Sequence, residues 1–219
     1  FIEAPGTSQH SMMVANLADA AADAIGANPL LARVGAYYHD IGKLENPLMF
    51  TENQNGENPH DQLEPQLSAQ IIINHPEAGV RIGRRYRLPL PLINIIQEHH
   101  GSTMQAFFYQ KAKRLAEEAG LPEPDPTPFK YTCPPPTTRE SAVVMLSDSV
   151  EAAMKSTNTH QLEAAETLIR RIIKIKNEQD QLVLSGLSFK DIETIIKAFM
   201  QVYAGHFHER IKYPDVHPV

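Results

Sequence analysis

Residues 28–43 read NPLLARVGAYYHDIGK. Asn28 is a residue type that caps helices, and Pro29 after it suits a first helical turn, whose amide has no partner to lose. Leu30 to Ile41 then continues as a mainly apolar helix, and Gly42 supplies the stop. The last turn of that helix carries His39 and Asp40, two ionisable groups at the end of an apolar run.

The same grammar extends in both directions. Upstream, Met13, Val14, Leu17, Ala20, Ala21, Ala24 and Ile25 recur near helical spacing from Ser11 to Ile25, directly after His10, with Gly26 as the cap. Downstream, Glu45 to Pro65 turns to Asn, Gln, Glu, Pro and Gly, which reads as a long polar loop able to order over a ligand. A helix over Gln66–Asn74 follows, and Pro76 holds His75 at a break. Pro89 and Pro91 open a helix with Leu92, Ile95, Ile96 and His99 on one face, ended by Gly101. Thr103–Ala119 is helical, and the Pro-rich stretch Gly120–Pro136 reads as a linker. Thr137 and Glu140 have capping-box spacing before a helix that runs through Met154, with Asp148 in its middle. Helices at about His160–Ile175 and Phe189–Tyr203 complete the chain. Seven to nine helices, no strand signal and no internal repeat predict an all-α bundle, one domain over 1–219 with Gly120–Pro136 as an internal connection.

Composition narrows the classes. Of 219 residues, 42% are hydrophobic and 21% charged, the balance of a globular protein that can bury a full core. A net charge of -6 without a basic block argues against a duplex nucleic acid as partner, since phosphate neutralisation supplies most of that affinity. A small anion remains possible if cations meet it. The single cysteine, Cys133, stands before three prolines and reads as incidental. No run of about 18 apolar residues is present. The first residue is Phe1, which suggests a piece of a longer protein with room for a membrane segment upstream.

His10, His39, Asp40, His75, His99, His100 and Asp148 fall at helix ends or within apolar helical stretches, where unpaired polar groups are costly. Singly, each histidine reads as a satisfied, partly buried side chain. Their order argues otherwise: a lone His, His-Asp closing a helix, a lone His, His-His, then Asp inside a later helix. A cation is an efficient partner for a buried carboxylate. Adjacent helical residues point about 100° apart, so His39 can bind one metal while Asp40 bridges to a second. His10 and Asp148 complete the first site; His75, His99 and His100 complete the second. The other histidines, His60, His160, His206, His208 and His217, read as surface residues.

Longer motifs carry a resemblance. EAPGTSQHS at 3–11, HDIGK at 39–43, FTENQNGENPHDQLEPQLSAQIIINH at 50–75, EHHG at 98–101 and TRESAVVMLSDSVEAAMKS at 138–156 resemble the HD superfamily. They resemble specifically the HD domain of the seven-transmembrane PgpH-type cyclic di-AMP phosphodiesterases. The related HD-GYP enzymes, which cleave cyclic di-GMP, share the ligand order, but GSTMQAFFYQ after His100 lacks their GYP signature. The resemblance implies a compact HD-domain bundle, a dinuclear centre on the seven residues above, and iron or manganese as the two ions. It implies hydrolysis of cyclic di-AMP to linear pApA by a bridging hydroxide. Lys43 would stabilise phosphate charge or assist the leaving oxygen. Arg139 could also contact phosphate, but as a first-turn helix residue it reads as structural, pairing with Glu140 or Glu151. A place on the cytoplasmic face of the membrane, in a longer chain with transmembrane and sensor regions, is also implied. Rival readings are hydrolysis of cyclic di-GMP, a linear dinucleotide or a guanosine polyphosphate, and a non-catalytic nucleotide sensor.

Overall fold

A computed structural model describes residues 2–157 and 161–208, with nine α-helices among them. Proline opens most of the early ones. α1 (Pro5–Ala24) starts at Pro5, so His10 lies inside the helix rather than before it. α2 (Pro29–Tyr38) is capped as expected, the Asn28 side chain accepting the Leu31 amide at 3.0 Å. It ends earlier than the sequence suggests: His39 is its C-cap, and the chain tightens into a 3₁₀ turn over Ile41–Glu45. α3 (Pro65–Ile73) and α4 (His75–Arg85) meet at Asn74, and α5 (Leu90–Glu98) and α6 (Ala106–Glu118) follow. α7 (Arg139–Thr157), α8 (Leu162–Glu178) and α9 (Phe189–His208) close the sequence.

The main core forms where α7 lies against α1 and α2, and α8 and α9 complete it with Ile169, Ile195 and Phe199. Ala142, Val143, Val144, Met145 and Leu146 are completely buried, which explains why α7 is apolar on several faces. α1 approaches closely because it presents Ala15, Ala18, Ala21 and Ala22, all without exposed surface. Two smaller clusters lie apart from this core. Val80, Ile93 and Ile96 join α4 to α5, and Ala69, Phe108 and Phe129 join α3 to α6.

Further expectations change. The polar stretch Glu45–Pro65 holds a succession of 3₁₀ turns rather than an open loop. Its polar side chains serve its own backbone and α1. Asn53 accepts the Thr7 amide at 3.1 Å and donates to Thr7 Oγ1 and Pro47 O, while His60 binds Met49 O at 2.8 Å. His60 is therefore buried, with its ring against Phe108, and not a surface residue. His160 and His217 lie outside the described residues, as do the side chains of His206 and His208.

The Pro-rich stretch Gly120–Pro136 is likewise more than a linker. Its residues 129–131 pair with 103–105, through Gln105 N–H to Phe129 O and Tyr131 N–H to Thr103 O, both 2.8 Å, which buries Phe129 and Tyr131. The cap of α7 is Thr138, whose Oγ1 accepts the Ser141 amide. Thr137 instead bonds Glu98, and Glu140 accepts the Asn28 amide, so the expected capping box is absent. Arg139 is structural, but its guanidinium holds Ile25 O and Asp191 rather than Glu140 or Glu151.

One backbone approach sets the geometry of the centre described next. A Cβ on Gly42 would lie 1.9 Å from His75 O and 2.5 Å from Gly79 N, so only glycine lets the turn after Asp40 touch the start of α4. Gly42→Ala is expected to lower stability by about 3 kcal/mol, at the upper end of overpacking costs. Gly205→Ala, with no neighbour near its added methyl, should be neutral or slightly stabilising. Urea unfolding of the two variants checks this, and equal midpoints would contradict the close-packing account.

Candidate metal centre

Three of the histidines sit where a helix runs out of partners for its last carbonyls. His39 Nδ1 donates to Ala36 O, His75 Nδ1 to Ile72 O and His99 Nδ1 to Ile96 O, each 2.7 Å and each three residues back. Helix ends therefore satisfy one ring nitrogen and, in the neutral ring, leave Nε2 as a bare lone pair facing inward. The consequence is visible between α4 and α5, where His75 Nε2 and His99 Nε2 stand 3.0 Å apart. Two lone pairs at that distance need a proton or a cation between them.

Asp40 occupies the middle. It is 2% exposed, and its two oxygens face different donor groups. Oδ1 lies 3.2 Å from His75 Nε2 and 3.7 Å from His99 Nε2. Oδ2 lies 3.3 Å from His39 Nε2 and 3.7 Å from His10 Nε2. Asp148, from the middle of α7, closes the second group: its Oδ1 is 3.0 Å from His10 Nε2 and 3.8 Å from His39 Nε2, while its Oδ2 is 3.7 Å from His100 Nδ1. Donors about 2.1 Å from a shared ion are separated by roughly 3 to 3.5 Å, so these spacings suit cations. Two sets have their donor atoms close enough to hold one ion each: Asp40 with His75, His99 and His100, and Asp40 with His10 and His39.

Unsatisfied atoms test the fit. His39 Nε2 and Asp40 Oδ1 are buried without a hydrogen-bond partner, a costly arrangement that a cation relieves. The structure thus brings all seven residues of the sequence constellation together, although Asp148, expected in the first set, stands beside His10, His39 and His100 and outside both groups of donors.

Electrostatics separate the two sets. Burial alone would depress His10, but its bonds to Asp148 and Glu151 outweigh that and raise it to about 9. For His39 burial is again outweighed, by Asp40 and Asp148, giving about 10. On the opposite side burial and the positive field of His39 and His75 lower His99 to about 4, and burial with His99 holds His100 well below the ordinary range. Asp40 and Asp148 remain ionised: burial opposes this, but the histidines around both, and Lys43 beside Asp40, prevail.

Several contributors were invisible in the sequence. Glu151, one turn beyond Asp148 on α7, grips His10 Nδ1 and orients Nε2 inward; its spacing of three from Asp148 was the available signal. Glu52 holds Lys43 Nζ at 2.7 Å, and the same ammonium is 2.7 Å from Asp40 Oδ2. Although burial disfavours its charge, these two carboxylates push Lys43 above the usual lysine range, so it stays an ammonium. Tyr131, from the Pro-rich stretch, stacks on His100 with ring centroids 4.4 Å apart and accepts a hydrogen bond from Gln105. Nothing in the local sequence signals that contact.

A cavity of about 820 Å³ opens over the centre, bounded by His10, His100, Tyr131 and Asp148 and by residues of the 50–52 and 103–106 segments. That size suits a nucleotide-scale ligand.

Comparison with known proteins agrees with this geometry. The HD domain profile matches residues 7–153. The chain is 46% identical over 214 residues to the cyclic-di-AMP phosphodiesterase PgpH of Bacillus subtilis, covering 97% of this chain, and 42% identical to PgpH of Listeria monocytogenes over 98%. It spans 29% of the length of each of these relatives. The crystal structure of the L. monocytogenes PgpH HD domain in complex with cyclic-di-AMP superposes with a TM-score of 0.88 at 41% identity, covering 94% of each chain. With an all-helical fold, the profile match and these relatives in agreement, the chain belongs to the HD-domain family and its HD domain is of the PgpH type.

Proposed function

We propose that this chain is a phosphodiesterase that hydrolyses cyclic di-AMP to linear pApA at a dinuclear metal centre. The observation that carries the reading is the buried Asp40 carboxylate, with each oxygen turned to a different group of imidazoles. His10, His39, Asp40 and Asp148 would hold one ion, and Asp40, His75, His99 and His100 the other. The donor set, imidazole and carboxylate without thiolate, suits manganese, iron, cobalt, nickel or zinc, and the resemblance to PgpH-type enzymes favours iron or manganese. Bound there, two such ions supply hydroxide from water near neutral pH and neutralise phosphodiester charge.

The chain's own groups do the remaining work. Helix-end carbonyls and Glu151 orient the imidazoles, so the donor positions are set before any cation arrives. Lys43, held as an ammonium between Asp40 and Glu52, adds positive charge where phosphate would lie. Its raised pKa favours stabilising phosphate charge over donating a proton to the leaving oxygen. The choice of cyclic di-AMP rests on the PgpH relatives and on the cyclic-di-AMP complex of the similar HD domain.

The relatives are more than three times as long as this chain, which fits a domain carried at the cytoplasmic face of a membrane by further segments. Among the described residues no helix is long and apolar enough to cross a bilayer.

Purified protein reconstituted with manganese is expected to convert cyclic di-AMP to pApA, and cyclic di-GMP more slowly, by chromatography of the products. Preferential attack on cyclic di-GMP would reassign the substrate, and turnover of neither would favour the sensor reading. Asp40→Ala should lower both metal content and turnover, the latter by about a thousandfold, the scale of several kcal/mol of lost transition-state stabilisation. Glu151→Gln should weaken metal binding by about 10- to 100-fold, as for other residues that orient ligands. Normal metal occupancy in Asp40→Ala would overturn the bridging assignment.

Proton linkage offers an independent check. In the metal-free protein His10 and His39 are protonated up to about pH 9 and 10, and a metal binds only the deprotonated ring. Metal uptake at pH 7 should therefore release protons, and affinity should rise with pH until those two values are passed. Calorimetry in buffers of different ionisation enthalpy measures the release; none at pH 7 would contradict the electrostatics described.

A further inference from the structure

The cavity over the centre has two cationic regions. Lys43 lies beside Asp40 and is fully committed to Asp40 and Glu52. The other region is the wall where α8 passes α7, and there Lys176 and Lys155 line the same cavity. Lys176 is partly buried and in the last turn of α8. The carboxylate it senses is Asp148, which is already engaged by His10. Burial lowers the pKa of Lys176, the response of an ammonium that has lost water without gaining a close counter-ion.

A buried-edge lysine facing a ligand cavity without a committed acidic partner is expensive, and an incoming anion removes the cost. Around it the remaining acidic groups of the cavity are spoken for: Glu52 by Lys43, and Asp148 and Glu151 by His10. A ligand bearing one phosphate would be held at the dinuclear centre alone. A ligand with two phosphates has a second charge to place, and this wall carries Lys176 and Lys155, which make no ion pair among the described residues.

We propose that Lys176 forms a second phosphate subsite, which holds the phosphodiester of a dinucleotide that is not being cleaved, with Lys155 at its outer edge. The inference deepens the proposed function and rests on that reading for the identity of the dinucleotide. It assigns Lys176 to selecting two-phosphate ligands over single phosphodiesters, a task separate from bond cleavage.

The test uses manganese-loaded protein and bis(p-nitrophenyl) phosphate, which has one phosphodiester and reports on the centre itself. Cyclic di-AMP and AMP are added as competitors, and inhibition constants are compared between the unaltered protein and Lys176→Met. The substitution is expected to weaken competition by cyclic di-AMP about tenfold, and competition by AMP by much less. Equal weakening of both competitors, or none, overturns the subsite. Lys176→Arg keeps the charge and should restore most of the competition; failure to do so while Lys176→Met is weakened would point to packing instead and also overturns it. Product analysis on the same samples separates the two ideas: if cyclic di-AMP competes through Lys176 but no pApA appears, the subsite stands and the hydrolytic reading falls.

Discussion

A carboxylate taken out of water must be surrounded by positive charge or hydrogen-bond donors, and Asp40 is almost entirely out of water. Much of the architecture around the centre answers that demand. α1 brings His10, the end of α2 brings His39, the start of α4 brings His75, the end of α5 brings His99 and His100, and α7 brings Asp148 to the opposite side. Gly42 permits the turn bearing Asp40 to press against α4, where Asp40 Oδ1 and His75 Nε2 meet at 3.2 Å. The buried alanines of α1 belong to the same core as α7, and His10 meets Asp148 at 3.0 Å between these two helices.

The positions of the histidines follow from a general deficiency of helices. The last carbonyls of a helix have no amide to accept, and an imidazole placed just beyond the end can donate Nδ1–H to one of them. His39, His75 and His99 each do this, and the arrangement satisfies the helix while aiming the other nitrogen. His10, inside a helix whose carbonyls are taken, needs a different partner, and Glu151 provides it. Two structural solutions thus give one outcome: ring orientation decided by the scaffold and independent of a cation.

Electrostatics resolve an apparent conflict between an acidic chain and an anionic ligand. The net charge of -6 is a property of the whole surface, whereas the cavity is governed by local groups. Its carboxylates are paired with Lys43 or with imidazoles, and cations at the centre would reverse the local field. Lys176 then stands as a cavity-wall ammonium near Asp148, a carboxylate that His10 engages.

Short-range physics was legible in the sequence. Apolar period, prolines at helix starts and glycines at helix ends marked the helices, and the seven ionisable residues stood out because they broke apolar stretches or sat at those ends. Several of the misread positions depend on partners remote in the chain. Thr138 rather than Thr137 caps α7 because Glu98, 39 residues before Thr137, claims Thr137. The 45–65 stretch is ordered because Asn53 reaches Thr7, 46 residues away. Glu151 meets His10 across 141 residues, and Tyr131 meets His100 because residues 129–131 pair with 103–105. The sequence by itself determined which segments become helices and which side chains must find charge, since both follow from each residue's immediate neighbours. Only the tertiary structure decided how the oxygens of Asp40 are shared, which carboxylates steady His10 and Lys43, and that Lys176 lines the cavity over the centre, since those depend on contacts between distant elements.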